Sequence, residues 1–157
     1  MSKNLVAYFS ASGITARVAK NLAGAIGADI FEIKPVELYT IEDLNWNDSK
    51  SRSSVEMNDE NSRPKIADKI SDIGAYDKIF LGFPIWWYTA PRIINTFLES
   101  YDFSGKEIIL FATSGGSNLN GIANKLKKIC KGAEILEGRM MNGNPSATEL
   151  KNWAANI

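Results

Sequence analysis

The chain contains no histidine and only one cysteine, Cys130, among its 157 residues. These shortages exclude a Ser-His-Asp or Cys-His nucleophile system, an imidazole metal ligand, a cysteine zinc site and an internal disulfide. An excess of either charge is lacking too: 18 basic and 18 acidic side chains cancel to a formal net charge of zero. No broad basic field exists to attract nucleic acid, and no Lys/Arg cluster sits among aromatics as a single-strand binder requires, so no nucleic-acid partner is expected. No apolar run approaches the roughly 18 residues that span a bilayer, and no membrane partner is expected. The run 5–9 behind the opening Met-Ser-Lys-Asn is too brief for a signal-peptide core, which sets the expectation of a cytoplasmic location. Cys130 follows Leu126 and Ile129 on an apolar helical pattern and is expected to be packing rather than a reactive thiol. Any chemistry must come from other groups or from a borrowed cofactor.

Alternation is what the sequence does have. Short β-rich apolar runs occupy 5–9, 30–33, 79–83 and 108–112, and another begins over 134–136. Between them, Ile14, Val18, Leu22 and Ile26 recur every four residues and stop at Gly27, the pattern of an amphipathic helix. Ser62 and Pro64 resemble a cap and an early helical proline ahead of Ile66, Ile70 and Ile73, predicting a second helix that stops at Gly74. A third opens at Pro91 and carries Ile94, Phe97, Leu98 and Tyr101. A fourth holds Ile122, Leu126 and Ile129 and ends before Gly132. The last starts at a capping box, Ser146 with Glu149, and turns Leu150 and Trp153 inward. Strands alternating with helices predict an α/β domain over 1–157, a parallel sheet with helices on both faces. The segment 35–63 is long and polar. It is expected to be an insertion or loop rather than a domain, with Leu38, Tyr39, Leu44 and Trp46 pinning its first half to the body.

In an open parallel sheet the ligand sits at the carboxyl ends of the strands, where strand order reverses. The first such loop is Ser10, Ala11, Ser12, Gly13, Ile14 and Thr15, leading directly into a helix. Alternating hydroxyls, a glycine and unpaired amides at a helix start make an anion site suited to a phosphate monoester, without any Lys or Arg. Taken alone, the same residues also make an ordinary turn and cap. No G-x-x-x-x-G-K-[ST] occurs, and no G-x-G-x-x-G follows a strand. After the third strand come Pro84, Ile85, Trp86, Trp87, Tyr88 and Thr89, three consecutive large aromatics able to stack on a planar heteroaromatic ligand. After the fourth come Thr113, Ser114, Gly115 and Gly116, a small loop suited to the opposite edge of a flat ligand. It approaches a hydrolase nucleophile elbow, but no histidine exists to activate Ser114.

These three loops, in this order, resemble the flavodoxin family. The resemblance covers essentially the whole chain, and its middle stretch, with Tyr39, Asp43, Leu44, Asn45, Trp46, Ser51, Arg52, Ser53, Arg63 and Pro64, is similar to a bacterial subfamily with an insertion between strands two and three. It implies a doubly wound five-stranded parallel sheet in order 2-1-3-4-5. It also implies non-covalent FMN, with the phosphate on Ser10, Ser12, Gly13, Ile14 and Thr15. The isoalloxazine would lie between the 84–89 loop and the 113–116 loop, with Trp86, Trp87 and Tyr88 all candidates for stacking. The implied function is electron transfer to redox partner proteins or a small-molecule acceptor. Because the net charge is zero rather than negative, an FMN-dependent NAD(P)H oxidoreductase acting on quinones or similar small acceptors is the alternative, with Arg52 or Arg63 as candidates to meet a nicotinamide phosphate. A flavin-free binding module of the same fold is a third. Oligomeric state is not legible.

Overall fold

Leu5, Val6, Ala7 and Tyr8 are all buried, as happens only in a strand covered on both faces. They belong to β1 (Lys3–Tyr8), which pairs in parallel with β2 (Asp29–Glu32) on one side and β3 (Tyr76–Pro84) on the other. β4 (Glu107–Thr113) and β5 (Glu134–Met140) continue the sheet, giving the order β2-β1-β3-β4-β5. The computed structural model describes residues 3–114 and 118–157. Its helices are α1 (Ile14–Ile26), α2 (Arg52–Asn58), α3 (Arg92–Glu99), α4 (Ile122–Lys127) and α5 (Ala147–Ala155).

Period-two alternation along each strand divides the core into two layers. Leu5, Ala7, Ile79, Leu81, Ile108 and Leu110 face one way and pack with Ile93 and Phe97 of α3 and Leu126 of α4. Val6, Tyr8, Phe80, Ile109 and Phe111 face the other way, against Val18 and Leu22 of α1 and Leu150 of α5. Gly82 has a packing reason: a Cβ there would collide with the Phe111 ring on the neighbouring strand. No helix among the described residues is long and apolar enough to cross a membrane.

The crossover from β2 to β3 departs from the sequence expectation. Residues 62–72 form no helix. They run as a strap, with an antiparallel bridge between Pro35 and Ile66, Val36 N donating to Lys65 O at 2.9 Å and Ala67 N to Lys34 O at 2.7 Å. Ile66, Ile70 and Ile73 still meet the core edge, so their four-residue spacing records burial without helical geometry. Only a 3₁₀ turn forms, over Ile73–Ala75. The crossover's α-helix is instead α2, inside the segment expected to be a loop. Its buried face is Ser53, Ser54, Glu56 and Met57, too polar to register as hydrophobic periodicity, while Ser51 caps it by accepting from Ser54 N. Of the four proposed pins, Leu38 and Trp46 are exposed, Leu44 is half-buried without joining either core layer, and Tyr39 alone packs against the core.

Elsewhere the differences are local. Tyr101 and Ile129 lie beyond their helices yet pack against the same core layer. Ser146 accepts from Glu149 N as a cap, but the Glu149 carboxylate pairs with Arg139 at 3.2 Å, so only half of the capping box forms. Cys130 is buried, and burial, with Asp102 adding to it, pushes its thiol pKa up.

Candidate functional site

Strand order reverses between β1 and β3, so the loops leaving these strands and β4 open onto one crevice. Gly13, just ahead of α1, has φ +94°, with open space where a Cβ would stand. Its requirement is therefore conformational rather than steric. Gly13 N donates to Ser10 Oγ at 3.0 Å. No side chain caps α1, and no acid lies in its first turn. The first amide bonded back is that of Arg17, to Gly13 O at 3.1 Å, so the amides of Ile14, Thr15 and Ala16 have no partner within the helix.

A cleft of about 360 Å³ lies against this helix end, within the size range of small-molecule sites, about 300–1,000 Å³. Ser12 and Ile14 border it from the first loop, Pro84, Ile85 and Trp86 from the second, and Thr113 and Ser114 from the third. Thr15, in contrast, is 1% exposed, and its hydroxyl shares a 2.8 Å hydrogen bond with that of Thr113. It braces the first loop against the end of β4 rather than presenting its hydroxyl to the cleft. Ala11 is half-buried against the core. Gly115 and Gly116 lie outside the described residues.

The aromatic loop sorts its rings. Trp86 and Thr89 exchange backbone hydrogen bonds of 2.9 and 3.1 Å around Trp87 and Tyr88, whose φ values are +48° and +63°. Two consecutive positive φ values make a type I′ turn, a conformation that normally selects Asn-Gly and is strained for bulky residues. Trp87 is 44% and Tyr88 73% exposed, and neither borders the cleft. Trp86 does, backed edge-on by Phe9 and Tyr39 at centroid distances of 5.7 and 5.4 Å.

Tyr39 is itself fixed from behind. Its hydroxyl donates to Glu56 Oε1, and the Arg52 guanidinium lies 3.8 Å over its ring while bonding Glu56 Oε2 at 2.9 Å and Glu37 O at 2.7 Å. Burial first, then the Glu56 contact, push the phenol pKa far above its ordinary value. Arg63 forms a forked pair with Glu99 at 2.9 and 3.1 Å and donates to the carbonyls of Glu60 and Ser62. Of the two arginines considered for a nicotinamide phosphate, Arg52 thus holds its own segment together and Arg63 ties that segment to α3.

Six residues bordering the cleft lie outside the site read from the sequence, Val18 among them, which the helical pattern had placed only in the core. Arg17 supplies the cation that the loop itself lacks; its position three residues after Ile14, on the same helical face, was the available signal. Met141, Asn142, Gly143 and Asn144 follow β5, and the Asn-Gly-Asn turn marked a fourth loop at the same sheet edge. Asn142 clamps Ser114, accepting from its amide at 3.0 Å and donating to its carbonyl at 2.7 Å. Among the described residues no His/Cys/Asp/Glu group is placed to hold a metal ion.

A five-stranded parallel sheet in this order, with its cleft over the ends of β1, β3 and β4, defines the flavodoxin-like class of protein. The chain belongs to the flavodoxin family, whose model matches residues 3–157. It is similar to a protein described as a flavoprotein from Bacteroides eggerthii, 49% identical, covering 100% of this chain and 98% of that one, with a TM-score of 0.94. A flavoprotein from Lactobacillus acidophilus solved in complex with FMN shares the fold at 22% identity and TM-score 0.74, covering 98% and 99%. Flavodoxin 2 from Bacillus cereus does so at 17% and 0.56, covering 99% and 100%. No curated protein matches the chain.

Proposed function

We propose that the chain is an FMN-binding electron carrier whose cofactor lies in the cleft at the start of α1. The uncapped end of α1, with its unpaired amides and Arg17 beside a cleft walled by Trp86, carries this reading. Family membership supports it, as does the FMN complex of the Lactobacillus acidophilus relative. The fit is chemical: amide donors, the hydroxyl of Ser12 and the Arg17 guanidinium suit a phosphate, while Trp86, Pro84 and Ile85 suit a flat aromatic ring system, and Ser10, outside the cleft lining, shapes the loop through Gly13 N. Bound FMN supplies the redox chemistry, which explains why a chain without histidine needs no side-chain acid–base pair.

The chain's own residues bind, orient and exclude water. The amides of Ile14 and Thr15 and the Ser12 hydroxyl would hold the phosphate, each hydrogen bond to a charged oxygen worth about 1.5–3 kcal/mol. Thr15 supplies its main chain and, through Thr113, the rigidity of the cradle. Trp86, held edge-on by Tyr39 and Phe9, would wall the ring system. Its electron-rich face and the apolar wall disfavour added negative charge and so lower the reduction potential. Thr113 and Ser114 border the opposite edge. The bound group would supply electron transfer to redox partner proteins or a small-molecule acceptor, and the zero net charge of the chain gives little long-range steering.

Titrating the purified protein with FMN and with riboflavin, followed by potentiometry, tests the reading. The expected result is a yellow one-to-one complex, much weaker binding of riboflavin, and no steady NADPH oxidation. Failure to bind FMN, or equal affinity for both ligands, would overturn it.

A further inference from the structure

On the other side of the Trp86–Thr89 turn, a second groove of about 370 Å³ runs between α3, α4 and the chain just after α2, and shares no lining residue with the cleft. Asn95 of α3 lies in its wall, 6% exposed. Its side-chain amide has no hydrogen-bond partner among the described residues, and no polar side-chain atom is both sealed and unpaired, so the amide reaches the groove. A buried amide without a protein partner is costly unless something in the groove completes it.

The surroundings select the sign of that partner. α3 opens after Pro91 with no side-chain cap and no acid in its first turn, leaving the positive helix end uncompensated. Arg92 donates through Nε and Nη2 to the carbonyls of Glu56 and Met57, at 3.3 and 2.9 Å, and keeps Nη1 unengaged. Lys125 and Lys128 border the groove with no ion-pair partner among the described residues, and Glu60 is its one carboxylate, on an exposed residue. Three cations against one anion, on a floor of Leu126 and Ile129, describe a site for a molecule with an anionic head and an apolar body.

We infer that this groove binds a small organic anion, its carboxylate or phosphate group meeting Asn95 between Lys125 and Lys128 and its body lying on Leu126 and Ile129. The site does not depend on the flavin. Thr89 borders it and is hydrogen-bonded to Trp86, so an occupant touches the turn that also edges the cleft.

Phenyl phosphate and benzoate, with inorganic phosphate as the head group alone, are titrated into the full isotopically labelled chain at saturating FMN, and the Asn95 side-chain NH₂ resonance is followed together with the backbone amides of Thr89, Lys125 and Ile129, which remain as probes in every variant. The expected result is a saturable shift with at least one of the two aromatic anions, tighter than with inorganic phosphate. K125Q with K128Q should weaken it at least tenfold. N95L should abolish it while leaving the melting temperature equal or higher, since an unpartnered polar group is replaced by an apolar one of similar size. Shifts that never saturate, or binding undiminished in either variant, would overturn the site. Shifts confined to Ser12 and Gly13 would overturn it too, and would report on the cleft instead.

Discussion

Ser12 and Thr15 carry the same kind of hydroxyl but perform different tasks. Ser12 borders the cleft, and Ser12→Ala should weaken FMN about tenfold or more, the loss of one charge-assisted hydrogen bond, while riboflavin affinity stays unchanged in a paired titration. Thr15 is buried against Thr113, so Thr15→Val strands a partner hydroxyl and should lower unfolding free energy by about 1–3 kcal/mol in urea. Gly13→Ala meets no steric obstacle, yet its φ of +94° imposes a left-handed cost of about 1–2 kcal/mol on the loop. Position relative to a glycine and a helix start was legible in the sequence, and it pointed to a loop that borders the cleft. Which hydroxyl turned inward was not, because that depends on Thr113, 98 residues away.

Among the elements, the Trp86–Thr89 turn holds two aromatic residues in a conformation suited to Asn-Gly. Replacing Trp87 with Asn and Tyr88 with Gly should raise stability by about 1–3 kcal/mol on chemical denaturation. FMN affinity should remain nearly unchanged, since neither ring borders the cleft. Behind the turn, Tyr39 links α2 to Trp86. A phenol whose pKa is raised on folding favours the native state below its ordinary value near 10, and that contribution is lost as pH rises from there toward the raised value. The stability of the protein should therefore fall with pH above about 10, and Tyr39→Phe should flatten part of that slope in denaturation measured across alkaline pH. Tyr8 and Tyr76 are also shifted upward, so part of the slope persists. Strands β1 to β4 and helices α1, α3, α4 and α5 were legible through their apolar patterns and caps. α2 was not, because serines and a glutamate form its buried face, and the strap at 62–72 imitated a helix through isoleucines spaced for a different reason.

At the scale of the whole molecule, alternating strands and helices specify a parallel sheet covered on both faces once crossovers are right-handed, whereas the strand order was expected only from the resemblance to flavodoxins. The fourth cleft loop, after β5, was missed because the last strand reads clearly only over its first residues, beyond which Glu137, Gly138 and Arg139 interrupt the apolar run. A ligand that binds only the folded state stabilises it by about 2.7 kcal/mol at a hundredfold excess over its dissociation constant. For a chain of this size that should raise the melting temperature by roughly 5–10 °C in a calorimetric scan with FMN. The absence of net charge predicts a reduction rate by a protein partner that varies little with ionic strength.

Two side-chain bolts, Thr15 to Thr113 and Asn142 to Ser114, tie the start of α1 and the loop after β5 to the end of β4 at the mouth of the crevice. The jaws they fasten already stand in position before anything enters. An incoming cofactor would thus forfeit little of its affinity to organising them, and the scaffold would scarcely rearrange as electrons arrive and depart, which is the condition for rapid exchange with a partner.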